Sequence, residues 1–214
     1  MTGPHRRQFL ALLGLGPLAL AGLAGCASPN PNYYRIGAVP GPQLSGGPPR
    51  LEVRSISIPG YLNREGIIKK ASNYQLDIHQ NDLWAEPLAD MLEATLVEDL
   101  STRLPQSAVL GAGGSISPNG DLLLETNVLR FDPDPDGQMV LRLQAALRDG
   151  ASLALLATRA FHHEAPAEEP VVGNIVGVMS RLWGEAADDI AQFVLQTWLA
   201  RPPGAAGRSA VQSG

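Results

Sequence analysis

Between Met139 and Leu147 the chain alternates without a break. Met139, Leu141, Leu143, Ala145 and Leu147 fall on one side, and Gln138, Val140, Arg142, Gln144, Ala146 and Arg148 on the other. Successive side chains of a strand point to opposite faces, so this stretch has one face to bury and one mostly fit for water. A sheet built on it needs a cover on the apolar side only. Asp149-Gly150 is a hairpin signal, after which Ser152–His162 returns as a partner strand. Leu122–Phe131 supplies the strand before it.

Two segments can provide the cover. Pro87 opens a helix at a position where its missing N–H costs nothing. Leu88, Met91, Leu92, Leu96, Leu100 and Leu104 then recur at three- and four-residue spacing, and Pro105 stops the run. Later, Val172, Ile175, Met179, Leu182, Trp183, Ala186, Ile190, Phe193 and Trp198 trace a longer amphipathic helix, with Gly184 a candidate kink. Gly173 and Gly177 in that helix suggest close packing on the sheet. Shorter strand-like runs lie at Tyr33–Val39, Leu51–Ile58, Ile67-Ile68, Tyr74–Ile78 and Ala108–Leu110. The expectation is one α/β domain, a mixed and largely antiparallel sheet covered by two main helices in a layered sandwich.

The ends of the chain read differently. A short basic start holding Arg6 and Arg7 precedes an apolar run, Phe9–Ala24, that is broken by Gly14, Gly16, Pro17 and Gly22. It is too short and too broken to span a bilayer and has the form of an export leader. Arg6-Arg7-Gln8-Phe9-Leu10 fits both a twin-arginine and an ordinary secretory leader. Leu23-Ala24-Gly25-Cys26 closes the run and resembles the lipobox of bacterial lipoproteins, in which the leader is cut before a cysteine that carries a diacylglyceryl group. Cys26 is the only cysteine in the chain, so the sequence holds no disulfide framework and no thiolate metal cluster. The expected division is a leader over 1–25, then Cys26 with a first strand and a Pro/Gly-rich linker over 26–49. The α/β domain follows over 50–200, and a disordered tail over 201–214.

Removing 25 of 214 residues leaves 189, enough for one domain with a substantial core. Since Arg6 and Arg7 are the leader's only charges, 14 basic side chains then face 21 acidic ones. A mildly acidic body of this kind argues against a nucleic-acid partner, which requires clustered Lys and Arg.

No chemical motif is complete. Asp132, Asp134, Asp136 and Gly137 match the opening of a calcium loop, but the twelfth position is Leu143 and a strand follows, so a hairpin turn explains them better. His162 and His163 are adjacent on a strand and point to opposite faces. Gly111-Ala112-Gly113-Gly114 lacks phosphate-loop spacing. No nucleophile elbow or Ser/His/Asp set stands out. The expectation is a non-enzymatic protein without metal or cofactor, acting by binding or assembly.

One pattern carries a resemblance. Leu51-Glu52-Val53 through Ile58-Pro59 leads to Tyr61-Leu62-Asn63-Arg64, then Ile67-Ile68, Asn73-Tyr74 and Trp84-Ala85-Glu86-Pro87-Leu88. In order and spacing this resembles the PqiC (YmbA-like) family of auxiliary lipoproteins, and Tyr33-Tyr34 after Cys26 also fits. The resemblance implies a lipoprotein on the outer membrane, facing the periplasm. Its implied partners are a PqiB-like MCE protein, whose tunnel is thought to carry lipids between membranes, and a PqiA-like inner-membrane protein. It further implies a layered α/β fold and assembly into homo-oligomers, with related members serving ABC-type transporters. The competing reading is a stand-alone lipoprotein that binds a lipid or glycan in its own pocket.

Partner contacts are expected at Tyr61, Leu62, Arg64 and Trp84. Tyr61 and Leu62 fit either an exposed interface or the edge of the core. Trp84 fits either a partner contact or a staple packing the helix start on the sheet.

Overall fold

The structure, a computed structural model, describes residues 30–72, 74–112, 119–167 and 171–201. The leader, Cys26 and the stretch 202–214 lie outside the described residues. The described residues from Pro31 onward form one compact unit.

The long meander is as the alternation demands. Strands β6 (Leu122–Pro133), β7 (Gln138–Asp149) and β8 (Leu155–Pro166) pair antiparallel in sequence order. Two short strands, β2 (Arg50–Val53) and β5 (Ala108–Gly111), join in parallel, giving a five-stranded sheet in the order β5-β2-β6-β7-β8. Met139, Leu141, Leu143, Ala145 and Leu147 are at most 2% exposed. Their neighbours Arg142 and Gln144 are exposed on the other face.

The remaining strands do not extend that sheet. β1 (Asn32–Tyr34), β4 (Leu76–Trp84) and β3 (Gly66–Ala71) form a separate three-stranded sheet in the order β1-β4-β3. The sequence suggested a single mixed sheet. Two mixed sheets result, and in the smaller one the register of β3 on β4 shifts twice, between Gly66 and Ile68 and between Ile68 and Lys70. Such irregularities bend a strand.

Helices α1 (Leu88–Arg103) and α2 (Val172–Leu199) cover the apolar face. Leu92, Leu96 and Leu100 of α1 and Ile175, Leu182, Trp183 and Ile190 of α2 are fully buried. Burying each such side chain contributes about 1.5–3 kcal/mol. The Trp183 indole stacks on Phe131 with ring centroids 6.1 Å apart, and its N–H donates to the Leu92 carbonyl at 3.2 Å. A buried indole needs such a partner.

Gly184 does not interrupt α2, which is continuous through it. Its role is close approach: a Cβ there would stand 2.8 Å from the Cβ of Val39. Gly173 and Gly177 are exposed, with only a distant Val171 methyl near Gly173 and nothing near Gly177. The expectation that they pack closely on the sheet is therefore corrected. The apolar stripe of α2 turns both glycines to the solvent side.

Val39 belongs to a strap, residues 35–49, that crosses both helices. Its backbone donates from Gly37 to Ser180 Oγ (3.1 Å), from Val39 to Asp99 Oδ1 (3.0 Å) and from Leu44 to the Arg103 carbonyl (2.7 Å). Arg103, 1% exposed, donates to Asp99 Oδ1 at 3.2 Å, to the Gly184 carbonyl at 3.0 Å and to Asp188. Burial pushes the Asp99 carboxyl up, against the Val39 N–H and the Arg103 charge, which hold it down. At the far end Arg201, first residue of the expected tail, is held by Asp149 and donates to the Asp121 carbonyl.

Candidate interaction surface

Three segments far apart in sequence meet at one end of the small sheet. The first is β1, which enters parallel to β4 with Asn32 opposite Asp82 and Tyr34 opposite Trp84. Asp82 Oδ1 accepts from Asn32 Nδ2 at 2.9 Å and from the Tyr34 hydroxyl at 3.2 Å. The second is the turn after Pro59-Gly60. The Leu62 N–H donates to the Pro59 carbonyl at 2.9 Å and the Asn63 N–H to that of Gly60 at 3.3 Å, which turns Leu62 inward and leaves Asn63 and Arg64 outside. The third is the link from β4 to α1. There the Trp84 N–H donates to the Glu65 carbonyl (2.8 Å) and the Ala85 N–H to that of Tyr34 (2.9 Å), tying all three together.

The result is a groove of about 420 Å³ lined by Tyr33, Asn63, Arg64, Glu65, Leu83, Trp84, Ala85, Glu86 and Pro87. Tyr33 stands on the rim, 65% exposed. The floor is apolar and the charged rim carries both signs.

The four residues singled out from the sequence take different positions. Leu62 is 3% exposed and Trp84 is 7% exposed. Both are core side chains in the isolated chain. They line a narrow internal gap with Leu88, Phe131 and Met179, so Trp84 packs against the helix start. Arg64 is exposed and donates from Nε to the Tyr61 carbonyl at 2.5 Å.

Tyr61 is half-buried, and its hydroxyl donates to Asp132 Oδ2 at 2.5 Å. Asp132, 3% exposed, also accepts from Arg130 Nε at 3.0 Å. Burial, followed by the hydrogen bond to Asp132 and that carboxylate's charge, pushes the Tyr61 phenol far up. It stays a neutral donor, pinning the groove's turn to β6.

The acidic run Asp132–Asp136 is a hairpin turn. Asp134 Oδ1 accepts the N–H groups of Asp136 (2.9 Å) and Gln138 (2.8 Å), and Gly137 takes φ +78°, a conformation open to glycine. His162 and His163 lie on opposite faces of β8. His162 faces Glu164 at 3.6 Å, while His163 sits between Glu185 (3.7 Å) and Asp189 (3.3 Å) of α2. Among the described residues no three His, Cys, Asp or Glu side chains converge as metal ligands. None of the described helices is long and apolar enough to cross a membrane.

Sequence reasoning missed a second hollow, of about 910 Å³, on the open face of the large sheet. Arg54, Ser57, Glu125, Asn127, Gln144 and Thr158 are among its lining residues. The polar alternates of β7 announced an uncovered face, but nothing local announced which strands would flank it.

The fold is that of a layered α/β domain, and the chain belongs to the family of ABC-type transport auxiliary lipoprotein components, which it matches over residues 34–191. It is 33% identical over 182 residues to the intermembrane transport lipoprotein PqiC of Escherichia coli (strain K12), spanning 83% of this chain and 94% of that one. The same identity and coverage hold for PqiC of Shigella flexneri. Among solved structures, an uncharacterized protein superposes with a TM-score of 0.64 at 26% identity, covering 78% of this chain and 99% of the other. A protein from Xanthomonas campestris superposes with a TM-score of 0.61 at 21% identity over 78% and 95% of the two chains. The family is one of transport auxiliaries and not of enzymes.

Proposed function

We propose that the protein is an outer-membrane lipoprotein facing the periplasm, lipidated on Cys26, that caps or holds the outer end of a Pqi/MCE-type lipid transport system. Its partners are a PqiB-like MCE protein and, through it, a PqiA-like inner-membrane protein, and copies of the chain assemble with one another around the tunnel. The observation that carries this reading is the convergence of the two family-like segments, Tyr61–Arg64 and Trp84–Pro87, on one groove beside the tether strand. Cys26 lies six positions before Asn32, a span of at most ~20 Å, so the lipid keeps the start of β1 within that reach of the membrane. Arg64 and the exposed part of Tyr61 are the contacts with the partner, while Leu62 and Trp84 shape the groove from beneath.

The test is capture of the neighbouring MCE protein by the full-length lipidated chain. Arg64→Glu reverses a rim charge without touching the core, and is expected to lower capture at least tenfold while leaving the unfolding midpoint unchanged. Capture equal to that of the parent would overturn the assignment of the groove. The second reading, a stand-alone glycan or lipid carrier, draws on the hollow of about 910 Å³ with its hydroxyl and amide lining. It requires a ligand to copurify with the protein, which native mass spectrometry detects.

A further inference from the structure

The direction of β1 has a consequence for how the domain meets the bilayer. β1 runs parallel to β4, so the chain enters it from the side on which β4 begins. At that end lies the turn joining β3 to β4, and on it stands Tyr74, 98% exposed, more than any other large apolar side chain among the described residues. The turn's two sides are linked: the Ser72 N–H donates to the Gln75 carbonyl at 2.8 Å, and Ser72 Oγ accepts the Gln75 N–H at 3.0 Å. It holds Tyr74 outward with nothing to pack on.

Lengths decide what that end faces. Asp82 lies opposite Asn32, and from Asp82 back to Leu76 is six residues, at most ~20 Å of strand. From Asn32 back to Cys26 is also six residues, with the same upper limit. A tether of that length reaches no further than the turn. A bilayer that holds a lipid on Cys26 then lies within ~20 Å of Asn32.

The chemistry suits that position. A tyrosine joins an apolar ring to a hydroxyl and is favoured at the boundary between headgroups and acyl chains. Lys69 and Lys70 flank it and can lay apolar stems along the surface. Charge alone does not make the contact: Lys69 stands 3.8 Å from Asp77, and the acidic β6–β7 turn is close by, since its Pro135 lines a hollow with Tyr74.

We propose that the β3–β4 turn is a second, non-covalent membrane contact, in which Tyr74 enters the headgroup layer and fixes the orientation of the domain beneath its lipid anchor. This rests on the lipidation of Cys26 proposed above. One tyrosine is too weak to recruit a soluble domain, but the anchor raises its local concentration near the bilayer to the millimolar range (~10⁻³ M), where a weak contact is occupied.

The experiment uses the full-length lipidated protein. Its Cys26 thiol is consumed by the lipid, so Tyr74→Cys carries the single free thiol for an environment-sensitive dye. Ser152→Cys, in the turn at the other end of β7, is the control. On vesicles of phosphatidylethanolamine and phosphatidylglycerol, the dye at 74 is expected to brighten several-fold, shift to the blue and be quenched by headgroup nitroxides, at low and high salt alike. The dye at 152 is expected to stay unchanged. Protein that floats with the vesicles while its dye at 74 stays dark, or brightens no more than the control, overturns the proposal. Protein that fails to float overturns the lipidation reading, and this one with it.

Discussion

The two sheets are held together by different physics. In the five-stranded sheet, three twelve-residue strands pair in almost unbroken register and bury an alternating apolar face under two helices. The three-stranded sheet has a three-residue edge strand and a middle strand whose register slips twice. Polar links do much of its fastening: Asp82 to Asn32 and Tyr34, Tyr61 to Asp132, and the Trp84 N–H to Glu65. Burial is non-directional and tolerant, whereas hydrogen bonds fix position. The sheet that carries the groove and the tether is therefore the one whose geometry depends on single polar atoms. The large sheet serves as the mass to which it is fixed.

The contrast breaks first at Trp183. Trp183→Ala empties the contact between both helices and β6, and is expected to cost about 3–5 kcal/mol. Denaturant unfolding measures this as a lower midpoint with an unchanged slope. The sheet held by burial should then lose stability as a whole, with no selective effect at the groove. Tyr61→Phe asks the opposite question. It keeps the ring and removes one hydrogen bond to a buried carboxylate, at an expected cost of about 1–2 kcal/mol, since Asp132 keeps Arg130. Its larger effect should be local: faster amide exchange in residues 60–65 and weaker capture of the MCE partner. A Tyr61→Phe protein with parental exchange in that turn would show that the polar link does not position the groove.

The sequence announced the two sheets unequally, for the same reason. The faces of β7 are legible because a two-residue period is local, and the helices because theirs is too. The burial of Leu62 and Trp84 was not legible: their types suit an interface as well as a core, and depth depends in part on Phe131 and Met179, which are distant in the chain. Of the strap over residues 35–49, the part to Val39 read as the end of a first strand and the rest as a Pro/Gly-rich loop, yet β1 ends at Tyr34 and the strap's N–H groups find Ser180, Asp99 and Arg103 across the helices. Gly173 and Gly177 misled because small-residue spacing signals close approach without saying which face of the helix presents it. The groove was half visible. Its two main segments were singled out together, but their meeting, and the part β1 plays in it, depend on a parallel pairing that no local pattern encodes.

The smallest test is whether the large sheet also relies on a polar fastening at its far end. Asp149 closes the β7–β8 turn: its Oδ1 accepts from the N–H of Ala151 (3.1 Å), and from the N–H (2.8 Å) and hydroxyl (2.9 Å) of Ser152, while Arg201 holds the other oxygen. The Ser152 N–H is the largest influence holding its carboxyl below the ordinary value of 3.8, against burial, which raises it. A carboxyl whose folded pKa is depressed binds its proton more readily when unfolded. Its contribution to stability is therefore complete above pH 3.8 and is lost as the pH falls through the lower folded value. Asp149→Asn should flatten the acid limb of the stability curve below about pH 4 and leave the neutral region only slightly lowered. Urea unfolding at pH values on either side of that limit measures it. Equal slopes in parent and variant would mean that the turn, like the sheet it ends, is held by packing, and the division between the two sheets would then be sharper still.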